Sequence, residues 1–418
     1  MAVYGVDFGT TNSVVTCLTP DGAAETLRHE MGGADLDVIR SVLCFWNDGP
    51  AGRPNLRHAA GPEAIAAYLD DPLDSRLMMS LKSYLAQKSF TGTSVFGRHY
   101  ALEDLIALFL RAILPQRQPG DILVAGRPVR FAGETADDAL GEARLRAAFA
   151  NAGWPEIHTA LEPEGAGYRF ARGLDAPATV LIGDFGGGTS DFSVIRFTPG
   201  GNRSVEPLGH SGIGLAGDTF DYRIMDHVVS PLLGKGTTYK VMGTELPVPP
   251  EYYSSFARWH RLSLMRTPRT LRDIEQVMRA AAYPERLAAL LTLIRDELGY
   301  ELYRAVSGVK AALSRAGSAV LQFRYEDFVI DAAIARADFE RWIAPDIARI
   351  AGTVDAALRQ SGLSDSGIDR VFLTGGTALV PAVRRIFDTR FGADRVTGGG
   401  EFVSVAEGLA LIGRDRAG

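Results

Sequence analysis

The chain has 418 residues, more than a single hydrophobic core serves, so at least two domains are expected. Its 46% hydrophobic and 22% charged content is that of an ordinary soluble globular protein, and a net charge of −6 gives no footprint for nucleic acid or for an anionic membrane. Two cysteines, Cys17 and Cys44, exclude a disulfide framework and suit a reducing cytoplasm.

The seven histidines are scattered without the short spacings of a zinc site, and no apolar stretch has the length needed to span a bilayer. No signal peptide is read at the N-terminus, because Asp7 interrupts the only early apolar run. The expectation is a cytoplasmic protein of more than one domain.

In chain order, AVYGVDFG (2–9) is an apolar run that ends in Asp-Phe-Gly and continues into SVVTCL. Strand, glycine turn, strand is the plain reading, a β-hairpin. Residues 36–100 look like an insertion of turn residues with one short helix, PEAIAAYLD, whose Pro62 suits a first helical turn. LEDLIALFLRAI (102–113) puts Leu102, Leu105, Ile106, Phe109 and Ile113 on one helical face. A strand DILVAG (121–126), a helix over 134–152 and a strand running into a loop over EIHTALEPEGAGY (156–168) follow.

The hairpin device then recurs in ATVLIGDFG (178–186) and DFSVIRF, its aspartate 177 positions after the first. A repeat at that spacing predicts two related halves. Residues 217–295 read as a mainly helical insertion with a loop, GKGTTYKVMGTELPVPPEYY, between helices. A long helical region over 284–314, the strands AVLQFRYE and FVIDAAI, and a helix near 337–361 come next. The chain closes with IDRVFLTGG (368–376), a strand ending in paired glycines, and a helix over about 380–392. Strands alternating with helices around glycine-rich strand ends predict an α/β protein with ligand chemistry at those ends. Trp46, Trp154, Trp259 and Trp342 read as core or interface residues, and His210 as structural.

Glycine admits positive φ and lets a ligand approach backbone N–H groups with no Cβ in the way. Successive N–H groups at such a turn form a nest for phosphate oxygens. A carboxylate at the strand end offers a hard oxygen for Mg²⁺, usually through its waters. The hydroxyls of Thr10, Thr11, Ser13 and Thr189 add neutral donors. One Asp-x-Gly turn is common on protein surfaces; two at equivalent places in two halves can grip a polyphosphate from opposite sides.

DFGTTNS (7–13) and DFGGGTSDFS (184–193) resemble the two phosphate signatures of the actin-like ATPase fold, in wording closest to the DnaK-type chaperones of the heat-shock protein 70 family. LEPEGAGY (161–168) resembles that family's segment connecting two halves, VFLTGGTALVP (371–381) its third glycine motif, and VKAALS (309–314) the helix flanking the adenine. The resemblance extends over the whole chain as far as the family's nucleotide-binding domain, and is closest to its truncated, YegD-like members.

It implies a duplicated, ribonuclease H-like core in two lobes around a nucleotide cleft. Lobe I would comprise residues 1–160, with an inserted subdomain at 36–100. Lobe II would comprise residues 161–418, with an inserted helical subdomain at 217–295. It also implies ATP or ADP with Mg²⁺ as ligand. Gly9, Thr10, Thr11 and Asn12 would form the first phosphate loop and Gly186, Gly187, Gly188 and Thr189 the second. Asp7, Asp184 and Asp191 would sit near the metal, and Asp184 and Glu162 would place the attacking water. Lys82 would lie near the γ-phosphate, although a lone lysine in a polar loop otherwise reads as a solvated surface charge. Lys310 and Ser314, with Gly375, Gly376 and Thr377, would contact the nucleoside.

Four positions depart from the family's pattern. Ser307 stands for a glutamate, Ala311 for a basic residue, Leu379 for an arginine and Phe402 for an acid, all on the nucleoside side. The family's interdomain linker and substrate-binding domain are not expected. The reading is an Mg²⁺-dependent, slowly hydrolysing, chaperone-like nucleotide switch. A protein client or co-chaperone of unspecified identity is its partner, and neither nucleic acid nor membrane is. An ATP-binding module with little hydrolysis, a small-molecule kinase of the same fold and a filament-former are the alternatives.

Overall fold

The computed structural model describes residues 2–19, 22–49, 55–133, 135–171, 173–198, 204–256, 265–398 and 403–417. Two compact units emerge: Met1–Gly217 with Asp346–Gly418, and Asp218–Pro345. Phe402 and Trp259 lie outside the described residues.

Both glycine hairpins form in the first unit. Strand Val3–Phe8 runs antiparallel to Asn12–Leu18, with Asp7 opposite Val14. Strand Ala178–Phe185 runs antiparallel to Ser190–Thr198, with Asp184 opposite Asp191. Each hairpin is the middle of a sheet assembled in the same order. In the first sheet, Ala24–Thr26 adds antiparallel to the second arm, while Ile122–Arg127 and then His158–Leu161 add in parallel beyond the first arm. In the second, Ser204–Ile213 adds antiparallel to the second arm, while Arg370–Thr374 and then Val396–Gly398 add in parallel beyond the first. The sequence repeat is therefore a repeated sheet, and the parallel strands meet the helices that an α/β alternation requires.

The helix Leu102–Ile113 buries Leu102, Leu105, Ile106, Phe109 and Ile113, the five residues its 3.6-residue period selects. They join Phe8, Leu85, Phe131 and Trp154 in one core, each large side chain contributing about 1.5–3 kcal/mol. The region 36–100 is richer in strands than its turn residues suggested. Val42–Asn47 lies between Leu56–Ala60 and Ser75–Met79 in an antiparallel sheet, and the expected helix, Gly61–Asp70, follows. The run VLCF at 42–45 is fully buried, and such a run carries no alternation from which a strand can be read.

The expected loop after Leu161 is a helix, Glu162–Ala171. Pro163 fits its first turn, where no N–H is needed. Its glycines, which read as loop residues, are packing residues. A Cβ on Gly165 would lie 2.8 Å from the Val405 carbonyl oxygen, and one on Gly167 2.3 Å from Ile182. The facing helix, Ser404–Ala417, returns the contact through Gly408, whose Cβ would lie 1.6 Å from the Gly165 carbonyl oxygen. The two helices thus meet backbone to backbone, and Arg169 pairs with Glu407 across them.

In the second unit, helices Pro268–Arg279, Pro284–Arg295 and Gly299–Leu313 bury Ile274, Leu287, Leu290, Leu291, Val306 and Leu313. Two hairpins complete it: Ser318–Tyr325 with Phe328–Ala335, and Thr238–Val241 with Thr244–Pro247, the latter inside the segment expected to be a loop. Trp342 stacks on His227 at 4.9 Å, whereas Trp154 is fully buried against Tyr4. Neither Cys17 nor Cys44 is in a disulfide, and no helix among the described residues is long and apolar enough to cross a membrane.

The helix contact makes a prediction. Gly408→Ala should destabilise the protein by about 2–3 kcal/mol in urea titrations, because the added carbon overlaps backbone that cannot swing aside. Gly308→Ala, with nothing within 4 Å of its Cβ, should be neutral or stabilising. Equal effects at the two positions would refute the backbone contact.

Candidate nucleotide site

The first turn, Gly9–Thr11, follows Phe8, whose buried ring packs on Phe109 at 5.8 Å. Gly9 is needed for a close approach: a Cβ there would sit 2.0 Å from the Asn12 carbonyl oxygen. The turn is braced from outside, with the Ser41 amide donating to the Thr11 carbonyl at 2.9 Å and the Ser13 and Ser41 hydroxyls sharing a 2.8 Å hydrogen bond.

The second turn is closed by the Gly186 amide donating to the Thr189 carbonyl at 3.0 Å. Phe185 anchors it, buried edge-on to Phe192 and Phe387. None of Gly9, Gly186, Gly187 and Gly188 has the left-handed φ expected of a glycine turn. Gly9 and Gly188 serve by omitting a Cβ. Gly375 does adopt it, at φ 85°, and a Cβ there would lie 2.1 Å from the Phe185 carbonyl oxygen. Gly376 opens the short turn that follows, and from it the Thr377 hydroxyl donates to the Gly186 carbonyl at 3.0 Å. The third glycine motif thus buttresses the second glycine turn.

The two turns face each other. A Cβ on Gly188 would lie 3.1 Å from Thr10 Oγ1 and 3.5 Å from Ser83 Oγ. Ser83 belongs to the 3₁₀ turn Leu81–Tyr84, which also carries Lys82. Lys82 is buried, not a solvated surface charge: its Nζ donates to Glu162 Oε1 at 2.5 Å, with both side chains less than a tenth exposed. Glu162 is the first residue of its helix, where the helix dipole favours an acid. Gly126 makes room for it, since a Cβ there would lie 3.0 Å from Glu162 Cγ.

Around this pair stand Asp7, Asp184 and Asp191. Burial lifts the Asp7 carboxyl to about 7, with help from Glu162 and against the pull of Lys82. Burial, then Glu162, Asp7 and Asp191, push Asp184 well above the carboxylate range. Burial and Glu162 raise Asp191 to about 7, opposed by hydrogen bonds from Thr189 and the Arg130 amide. Burial alone would lower Lys82, but Glu162, Asp7 and Asp184 outweigh it and hold the ammonium above its usual value. One ammonium faces four carboxyls, a charge imbalance that a divalent cation would relieve. Among the described residues no three acidic, histidine or cysteine side chains converge to ligate an ion directly; carboxylates such as these can hold Mg²⁺ through its waters.

The three aspartates are not equivalent. Asp191 Oδ1 accepts the amides of Val129 and Arg130 at 2.8 and 3.2 Å, tying the second hairpin to the loop after strand Ile122–Arg127. Asp7 and Asp184 stand at the ends of the first arms of their hairpins. In the second unit, Lys310 donates to Asp221 Oδ2 at 2.7 Å, and the Ser314 hydroxyl to the Lys310 carbonyl at 3.2 Å. Leu379 is half exposed. Ser83 and Gly126 went unread in the sequence, although a glycine inside a strand pattern is the signal of close approach that Gly126 fulfils.

The Hsp70 protein family model matches residues 296–416. Curated relatives align over nearly the whole chain. A Chaperone protein HscA homolog of Bordetella petrii is 24% identical over 426 residues, covering 97% of this chain and 57% of its own length. Chaperone protein DnaK of Thermotoga maritima is 25% identical over 400 residues, covering 94% and 56%. The mitochondrial Heat shock 70 kDa protein of Dictyostelium discoideum is 26% identical over 431 residues, covering 98% and 56%. The chain is similar to Hsp70 proteins, at low identity, over nearly its whole length. The duplicated sheets are those of the actin-like ATPase fold that this family implies. The chain spans little more than half the length of these relatives.

The raised carboxyls set a pH dependence. A carboxyl whose folded pKa lies above its unfolded value of about 4 contributes most stability when protonated. That contribution fades as pH rises through the folded value of about 7 of Asp7 and Asp191, and is gone above it. Mg²⁺ favours the ionised forms, so its increment in Tm should be larger at pH 8 than at pH 5.5. Equal increments at the two pH values would contradict a cation held by this cluster.

Proposed function

We propose that the chain binds ATP with Mg²⁺ between the two glycine turns and hydrolyses it slowly, as a chaperone-type nucleotide switch of the cytoplasm. The observation that carries this reading is the approach of Gly188 to Thr10 and Ser83, directly beside the buried Lys82–Glu162 pair. Thr10, Thr11 and Asn12 donate to phosphate oxygens from one side, and the amides of Gly186, Gly187 and Gly188 with the Thr189 hydroxyl from the other. Lys82 neutralises charge on the transferred phosphoryl group. Glu162, pinned by Lys82, orients the attacking water, and Asp184 holds its proton, a task suited to a carboxyl of raised proton affinity. Asp7 and Asp184 hold the metal's waters, and the metal supplies charge neutralisation when bound. In phosphoryl transfer such positioning and electrostatics supply nearly all the catalysis. Gly375, Gly376, Thr377, Lys310 and Ser314 are assigned to the nucleoside side. The chaperone role is inferred from the relatives' names, and the identity of any client or co-chaperone is not implied by it.

A second reading, an ATP-binding module with little turnover, is motivated by the altered nucleoside side, where Lys310 is paired with Asp221 and Leu379 stands half exposed. Calorimetry and phosphate release separate the two. Wild type should bind ATP and ADP only with Mg²⁺ present, and Asp184→Asn should retain binding while losing about 100-fold or more in turnover, the scale of a lost proton acceptor. Binding without turnover in wild type selects the second reading, and no binding of either nucleotide defeats both.

A further inference from the structure

We propose that Arg144, with Glu103, is a positioning clamp for Lys82, acting from outside the nucleotide cleft. The inference deepens the reading of Lys82 as a phosphate-facing residue and rests on that reading for its catalytic consequence only.

Lys82 is placed by a turn that does not hold its shape unaided. Ser80, two residues before it, is buried and stands at φ 54°, a left-handed conformation that costs a residue with a Cβ about 1 kcal/mol and persists only where neighbours over-determine it. After the turn the chain coils through residues 82–90. The Leu85 amide donates to the Lys82 carbonyl at 3.2 Å, Gln87 to Tyr84 at 3.1 Å and Phe90 to Gln87 at 3.2 Å, while the Gln87 side chain donates to the Ser83 carbonyl at 2.8 Å. Such a coil leaves carbonyls pointing into its own centre. Buried without donors, each would cost about 1–3 kcal/mol.

Arg144 fills that centre. It projects from the helix Asp138–Asn151 and is nine-tenths buried. Its Nη1 lies 3.2, 3.1 and 3.0 Å from the carbonyl oxygens of Leu85, Gln87 and Phe90, and its Nε pairs with Glu103 Oε1 at 3.2 Å. Just before the same helix, the Asp137 amide donates to the Ala86 carbonyl at 3.1 Å. One amino group, Nη1, is shared among these carbonyls while Nε of the same guanidinium meets the carboxylate; a lysine ammonium could serve the carbonyls but not Glu103 at the same time. Lys82 Nζ and Ser83 Oγ sit on the other side of this coil, against Glu162 and Gly188. Loosening the clamp therefore shifts the ammonium and the hydroxyl together, with no change in the glycine turns.

The test reads Lys82 itself. Full-length protein is pulsed with an amine-acetylating reagent, and labelling of each lysine is followed by peptide mass spectrometry, with circular dichroism and Tm recorded alongside. Wild-type Lys82 should label far more slowly than exposed Lys88. In Arg144→Gln, Lys82 should label roughly tenfold faster, the change expected on losing one or two buried charge-assisted hydrogen bonds, while other lysines are unchanged. Arg144→Lys should be intermediate. Should Arg144→Gln fail to fold, Glu103→Gln, which removes only the anchoring charge, should show the same selective gain. Unchanged Lys82 labelling in the folded variants, or a uniform rise at all lysines, overturns the clamp. In parallel, turnover should fall with nucleotide Kd unchanged. Absent turnover in wild type refutes the ATPase reading, while the labelling still decides the clamp.

Discussion

The buried Lys82–Glu162 ion pair is the contact on which the rest of the site depends. Its members are 80 residues apart, one on a 3₁₀ turn within the region after the first hairpin, the other opening the helix that leads into the second sheet. Taking two charges out of water is repaid only where geometry and further hydrogen bonds are good, so a pair kept at this depth is weak evidence for stability. Here it stands among three more carboxyls, whose proton affinity Glu162 raises and Lys82 lowers. A lysine chosen for folding alone would have no need of such neighbours. The arrangement leaves negative charge uncompensated at the point where two phosphate-type turns converge.

The two hairpins share a topology but divide the chemistry. Register sets Asp184 opposite Asp191, whereas Asp7 faces Val14. The second hairpin therefore carries an extra acid, and the fold occupies it: Asp191 accepts two amides from the loop that follows strand Ile122–Arg127. Gly212 permits this, since a Cβ there would lie 2.4 Å from Asp191 Oδ1. Asp191 is thereby a tie between the sheets as well as a source of field, while Asp7 and Asp184 keep their places at the strand ends. Three aspartates that look alike in sequence are separated by what their oxygens already hold.

The parts of this site that were legible in sequence are those in which local pattern and chemistry coincide. An apolar run, an aspartate and glycines in succession dictate a strand end and a bare turn, and the spacing of the two copies announced the repeated sheet. Legibility failed where a residue's role comes from a distant partner. Gly165 and Gly167 look like loop residues until Gly408 and Ile182 are packed on them. Lys82 in a polar-looking segment carries no mark of burial, because its partner lies far along the chain. Arg144 sits in a helix whose sequence, DALGEARLRAAFAN, shows no amphipathic bias that would bring an arginine inward. Residues 42–45 escaped for the opposite reason: burial on both faces erases the alternation by which strands are recognised.

The third glycine motif is held in place by the second glycine turn. Gly375 is required by a positive φ and by the Phe185 carbonyl against which it lies, and Thr377 is engaged at the Gly186 carbonyl. Both constraints arise from supporting the second turn, and neither involves a base or a sugar. Leu379, two residues on, is half exposed and bears no such constraint. Substitution there leaves the buttress intact. A Gly-Gly-Thr segment in this position therefore testifies to the glycine turn it supports, and any contact to a base has to be argued from residues that the turn does not need.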